Sequence, residues 1–156
     1  MKITPQWLAG FLDGEGCITI AKYTNRKTAR CSHFTPSVNI VNTDLPTLLA
    51  IQKVFGGTLH SKGKNKHINW KQGWALHWTG SNKVKTILEV IRPYVISKRD
   101  QVEFMLDVWL PRFSRTKKGR GIRVSDEEVA NRLSLSNQLS LLKKRNYPNL
   151  DINTLN

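Results

Sequence analysis

Cysteines, acids and long apolar runs are all scarce in this chain, and each scarcity removes a class of function. Cys17 and Cys31 are the only cysteines, too few and too isolated for a disulfide framework or a zinc cluster. They suit the reduced thiols of an intracellular protein. His33, His60, His67 and His77 have no CxxC or HxxxH partners, so a zinc finger is not expected. No run approaches the roughly 18 apolar residues that a membrane span needs. The opening MKITPQW has neither an apolar signal core nor Arg/Ser-rich transit character. The expectation is a soluble, intracellular protein with no membrane partner, its compartment open between cytoplasm and organelle interior.

Acids are the scarcer charge. Eleven Asp and Glu stand against 25 Lys and Arg, a net charge of +14 with a pI near 10.2. Such self-repulsion works against a compact fold, and a polyanionic partner is its natural explanation. No basic stretch doubles as an apolar helix face, which argues for nucleic acid over a membrane surface. At 156 residues, 39% hydrophobic and 23% charged, the chain has the composition of one globular domain with a real core.

Along the chain, Thr4-Pro5 reads as a helix start. Trp7, Leu8, Phe11 and Leu12 follow at helical spacing, and Gly14 and Gly16 close the segment. Strands are expected at 17–23 and 34–41, with Pro36 marking an edge or a bulge. A helix follows at 44–55, then a strand pair at 58–61 and 74–79 joined by a long basic loop. Ser81 is expected to cap a third helix and Ser97 with Asp100 a fourth. Ser125 with Glu128 opens a last helix, whose Lys143, Lys144 and Arg145 suit its C-terminal dipole. The order is α-β-β-α-β-β-α with extra C-terminal helices, an α+β pattern. It divides into a core over 1–113, a basic linker at 114–124, and a C-terminal helix and tail at 125–156.

The chemically informative stretch is Leu8 to Gly16, LAGFLDGEG. Gly10 and Gly14 lie four apart on one helix face, where small residues let a second backbone approach closely. Asp13 and Glu15 lie at the helix end, where the dipole disfavours acids. That placement points to a compensating cation, and hard oxygen donors suit Mg²⁺. A solvated turn is the plain alternative. An EF-hand fails on spacing, since the twelfth residue from Asp13 is Thr24. A nucleotide loop fails because no strand precedes it and no GxGxxG or GK[ST] is present.

LAGFLDGEG resembles the motif of the LAGLIDADG homing endonucleases, and the resemblance, with its element order, covers about residues 4 to 111. It implies a fold in which motif helices of two half-molecules pack together beneath saddle-shaped antiparallel sheets that lie along DNA. It implies Glu15 as the ligand of a catalytic Mg²⁺, with the Gly14 carbonyl beside it. Mn²⁺ or Ca²⁺ could substitute in binding, and no small-molecule cofactor is expected. Asn42, where Gln is more usual, and Lys98 are the further catalytic residues implied. Only one motif is present, so the resemblance implies a homodimer joined through Leu8, Ala9, Gly10 and Asp13. The implied activity is intron-associated cleavage of both strands of a long double-stranded DNA site.

Strand alternation then sorts the faces. With Ile18, Ile20, Val38 and Ile40 inward, Thr19, Ala21, Tyr23, Ser37 and Asn39 face DNA. Asn25, Arg26, Lys27 and Arg30 extend that face along the first loop. Lys62, Lys64, Lys66, His67, Trp70, Lys71 and Gln72, with His77, extend it along the second. Arg and Gln can pair bidentately with guanine and adenine, while Lys holds phosphates. An RNA-splicing maturase and a DNA-binding regulator without catalysis are the rival readings of the same fold.

Overall fold

Thr4 opens the first helix, α1 (Pro5–Glu15): its Oγ1 accepts the Trp7 amide at 3.2 Å, and Pro5 follows it. The computed structural model describes residues 2–24, 32–63, 71–113 and 124–143. After α1 come β1 (Gly16–Thr24), β2 (Ser32–Asn42), α2 (Leu45–Phe55), β3 (Thr58–Ser61), β4 (Trp74–Thr79) and α3 (Ser81–Ile91). A continuous helical stretch follows: α4 (Arg99–Glu103), a π-helical segment (Phe104–Trp109) and α5 (Leu110–Phe113). Last comes α6 (Asp126–Leu142). The chain passes from α1 into β1 with no loop. Gly16 makes this possible, since a Cβ there would meet Leu12 Cγ and the Leu12 carbonyl oxygen at 2.5 Å.

The strands form one antiparallel sheet in the order β1-β2-β4-β3. Its inner face carries Ile18, Ile20, Phe34, Val38, Ile40, Leu76 and Trp78. Against them pack Leu8, Ala9 and Leu12 of α1, Leu48 and Ile51 of α2, and Val84, Ile87, Leu88 and Ile91 of α3. Met105, Leu106 and Trp109 of the π segment join the same core. This is the expected α+β architecture. The helices cover one face and leave the other to solvent, as the period-2 alternation requires.

Three local expectations are corrected. Pro36 sits in a central strand, not at an edge or bulge. Its carbonyl accepts the Gly80 amide at 3.0 Å, just past the end of β4 at Thr79. The missing N–H therefore faces a place where no strand waits to receive it. Ser81 does not cap α3; Gly80 holds the cap position, at φ 92°, with no side-chain bond. Ser97 and Asp100 form no capping box, because the amides ahead of α4 are taken by a side chain 83 to 85 residues away.

The C-terminal helix is tied to the sheet. Ser125 Oγ accepts the Glu128 amide at 3.3 Å, as expected, while the Glu128 carboxylate pairs with Arg132 at 2.8 Å instead of reaching back. Leu135 and Leu139 enter the main core. Ser136 Oγ donates to the Ile20 carbonyl at 3.3 Å, so α6 covers part of the free edge of β1, which would otherwise present unpaired backbone groups. Among the described residues no helix is long and apolar enough to cross a membrane.

Candidate functional site

The last turn of α1 separates its two acids. Asp13 is half-buried, and its carboxylate is fully engaged by its own chain. Oδ2 accepts the amides of Ile96 at 2.7 Å and Ser97 at 3.1 Å, and Oδ1 accepts that of Lys98 at 2.9 Å. The Lys98 ammonium returns to donate to the Asp13 backbone carbonyl. Glu15, two residues on, is exposed and makes no hydrogen bond or ion pair with any described residue. An anion at a helix C-terminus with no partner is unfavourable by itself. Asp13 has its compensation within the fold, and Glu15 does not.

Asn42 ends β2, and since Gly16 pairs with Ile40, that end of β2 lies beside the α1–β1 junction. Its Oδ1 accepts the Asp44 amide at 2.9 Å, a short turn that leads into the Asp44 cap of α2. The side chain is thus oriented through its oxygen, and its Nδ2 has no described partner. Glu15, Asn42 and Lys98 come from three separate elements and gather at the C-terminal end of α1.

The donor set is small. Among the described residues no group of three or more His, Cys, Asp or Glu could hold a metal ion. At this helix end the described residues offer one unengaged carboxylate, that of Glu15, and the backbone of exposed Gly14, above which no atom stands within 4 Å of a Cβ position. Such a set fits Mg²⁺, which keeps several waters and takes one or two carboxylates together with substrate phosphates. It does not fit a closed, all-protein cage.

The proposed pairing helix is corrected in detail. Leu8 and Ala9 are 0% exposed and belong to the core of the single chain, and Asp13 is turned to the loop ahead of α4. Of the expected interface residues only Gly10 faces outward. It lies with Gln6, Trp7 and Phe11 around a shallow depression, and the Trp7 and Phe11 rings stack at 4.9 Å, 15° from parallel. From the sequence only the helical spacing of Trp7 and Phe11 was read; both rings are partly buried against the core.

The outer face of the sheet is ordered in rows. Cys17, Asn39, His77 and Thr58 lie opposite one another across the four strands, and Thr19, Ser37 and Thr79 form the next row. Tyr23 is 59% exposed, while Ser37, though on this face, is only 8% exposed and contributes little contact surface. His77 meets His60 edge-on at 5.5 Å. Burial, then the neighbouring His60 and Lys62, lower the His77 pKa below its usual value and favour the neutral ring. His60, Thr58 and Cys17 were not assigned to this face from the sequence, although the two-residue period on β3 and β1 points to them.

Lys62 and Lys71 are exposed at the base of the second loop. Gln72 is committed there: its Nε2 donates to the Lys62 and Gly73 carbonyls, so it braces the loop more than it reads a base. Lys143, at the end of α6, brings its ammonium 4.0 Å from Cys17 Sγ, adding a cation to the Glu15 end of this face. Asn25, Arg26, Lys27, Arg30, Lys64, Lys66, His67 and Trp70 lie outside the described residues.

Residues 8–105 match a family model described as LAGLIDADG endonuclease. No curated protein matches in sequence. Among solved structures, the chain is similar to the homing endonuclease I-CvuI in complex with its target in the presence of 2 mM Ca. The TM-score is 0.71 and the identity 24%, over 90% of this chain and 82% of that one. It is similar to the homing endonuclease I-TnaI, with a TM-score of 0.66 and 21% identity over 91% of this chain and 97% of the other. The archaeal intron-encoded homing endonuclease I-Vdi141I complexed with DNA gives 0.68 and 16%, over 96% and 90%. At these identities the structural likeness establishes the fold.

Proposed function

The chain belongs to the LAGLIDADG endonuclease family, and from that premise we propose that it is a homodimeric, Mg²⁺-dependent homing endonuclease. In this reading it is intron-encoded and hydrolyses both strands of a long, pseudo-palindromic DNA site. The observation that carries the catalytic part is the contrast at the end of α1: Asp13 is consumed by the fold, while the Glu15 carboxylate is exposed and unpartnered.

Glu15 and the Gly14 carbonyl would hold the divalent cation. When bound, that cation neutralises charge on the scissile phosphate and lowers the pKa of the attacking water. Lys98 keeps a positive charge beside the same helix end, where it offsets negative charge developing on the phosphate. Asn42, fixed through its Oδ1, presents Nδ2 as a donor to water or phosphate. With one such carboxylate per protomer, two protomers are needed to cut two strands. The exposed Gly10 and Gly14, flanked by the partly buried Trp7 and Phe11, are suited to a two-fold helix pair, since a self-complementary surface needs close approach about its axis.

The outer sheet face supplies recognition. Thr19, Tyr23, Asn39 and His77 would meet base edges, His77 as a neutral ring with one donor and one acceptor. Lys62, Lys71 and Lys143 would hold phosphates. The loop residues named in the sequence reading would lengthen this surface. The strands β1 and β2, of 9 and 11 residues, span about 30 Å at about 3.3 Å per residue. That is about one turn of DNA, or about 10 base pairs per subunit. Footprinting is expected to show protection of about 20 base pairs with a dyad. Affinity is expected to fall by about 10³-fold or more between about 50 and 200 mM salt. A protected stretch of about 6 base pairs, or one without a dyad, would contradict the long-groove reading.

A further inference from the structure

We propose that Asp13 is a positioning residue: it fixes the loop ahead of α4 and so sets where the Lys98 ammonium lies. This rests on the reading above in which Lys98 acts in cleavage. The two residues form a reciprocal clamp. The Asp13 side chain binds the Lys98 backbone, with the Ile96 and Ser97 amides beside it, and the Lys98 side chain binds the Asp13 backbone.

The clamp resolves two oddities at once. Asp13 lies in the last turn of α1, where the helix dipole opposes an anion. Three consecutive amides leading into α4 offset that cost, because bonds to an ionised acceptor are about twice as strong as neutral ones. Those amides belong to the two residues before α4 and to its N-cap Lys98, and the helix's own backbone offers them no acceptor. The loop's other bonds are local: the Tyr94 and Val95 amides donate to the Ile91 carbonyl, the Arg99 amide to that of Ile96 and Arg99 Nε to that of Val95. Val95 is buried, but Ile96 is 79% exposed and Ser97 is also exposed. Both carboxylate oxygens are used, so an amide in place of the acid could satisfy the arrangement only in part.

The clamp also joins the acidic end of α1 to the basic residue that serves it. Lys98 is held on the carbonyl one residue before Gly14 and two before Glu15, so a shift of the loop moves the ammonium relative to the phosphate that Glu15 addresses. Misplacement of a reacting group by about 1 Å can cost about 10²-fold in rate.

The test is a double-mutant cycle on the full-length protein: wild type, Asp13→Asn, Lys98→Met and the double variant. It reads single-turnover cleavage at saturating DNA and, separately, DNA affinity. Thermal unfolding is recorded for each, with rates taken well below the lowest transition. Asp13→Ser replaces Asp13→Asn should the latter not fold. Asp13→Asn is expected to lose about 10²-fold in rate with affinity within about threefold. The double variant is expected to fall within about threefold of Lys98→Met, as for groups that act as a unit. Wild-type cutting by Asp13→Asn, or losses that simply multiply, would overturn the inference. Wild-type cutting by Lys98→Met alone would overturn the role of Lys98 and the positioning with it. That failure is seen in the single variant, whatever Asp13→Asn does.

Discussion

Glu15→Gln is expected to lower DNA cleavage by at least about 10³-fold while leaving DNA affinity within about tenfold, because it removes a metal ligand and no groove contact. A factor of 10³ corresponds to about 4 kcal/mol of barrier, a fair share for a lost Lewis-acid site. The structure makes this substitution unusually clean. The Glu15 side chain is exposed and has no described partner, so the isosteric amide breaks nothing in the fold. Thermal unfolding should be unchanged within the usual range for a surface substitution, about 0.5 kcal/mol. A purified Glu15→Gln variant that cuts at the wild-type rate would remove Glu15 from the site.

Gly10→Leu is expected to abolish dimerisation while leaving the protomer at least as stable as before. A Cβ at Gly10 meets nothing within 4 Å in the free chain, so the fold of one protomer does not need glycine there. Glycine in a helix interior costs about 1 kcal/mol relative to alanine, and leucine is a good helix former. Any penalty must then arise from a second molecule. Overpacking a close contact costs about 1–3 kcal/mol or more, and a two-fold axis counts it twice. Light scattering on the DNA complex is expected to give a dimer for wild type and a monomer for the variant, with unfolding no earlier than wild type when both are compared as dilute, DNA-free monomers. A wild type that binds DNA as a monomer, or a variant that dimerises normally, would contradict the helix-pair interface.

Much of this was legible in the sequence wherever local chemistry alone decides. The Thr4 and Ser125 caps, the β3 and β4 boundaries and the inward isoleucines follow from side-chain types and a period of two or 3.6. What was not legible depends on partners distant in the chain. Asp13 reads as an interface acid until its three amide donors, 83 to 85 residues away, are seen. Pro36 reads as an edge residue until β4 is seen to stop one residue short of it. Leu8 and Ala9 share a helix with Trp7 and Gly10, and periodicity gives two faces without saying which meets the sheet. The position of α6 is of the same kind, since Ser136 reaches a carbonyl 116 residues earlier, a contact that no local pattern encodes.

The central claim is metal-dependent cutting of both strands at one long site. Its most direct measurement is incubation of the purified chain with a library of randomised duplexes, with Mg²⁺ or with EDTA, followed by sequencing of the ends produced. The expected result is double-strand breaks in Mg²⁺ alone, at sites sharing a partly palindromic sequence of about 20 base pairs centred on the break. Breaks that persist in EDTA, a shared sequence of only about 6 base pairs, or binding without any cleavage in Mg²⁺ would contradict it.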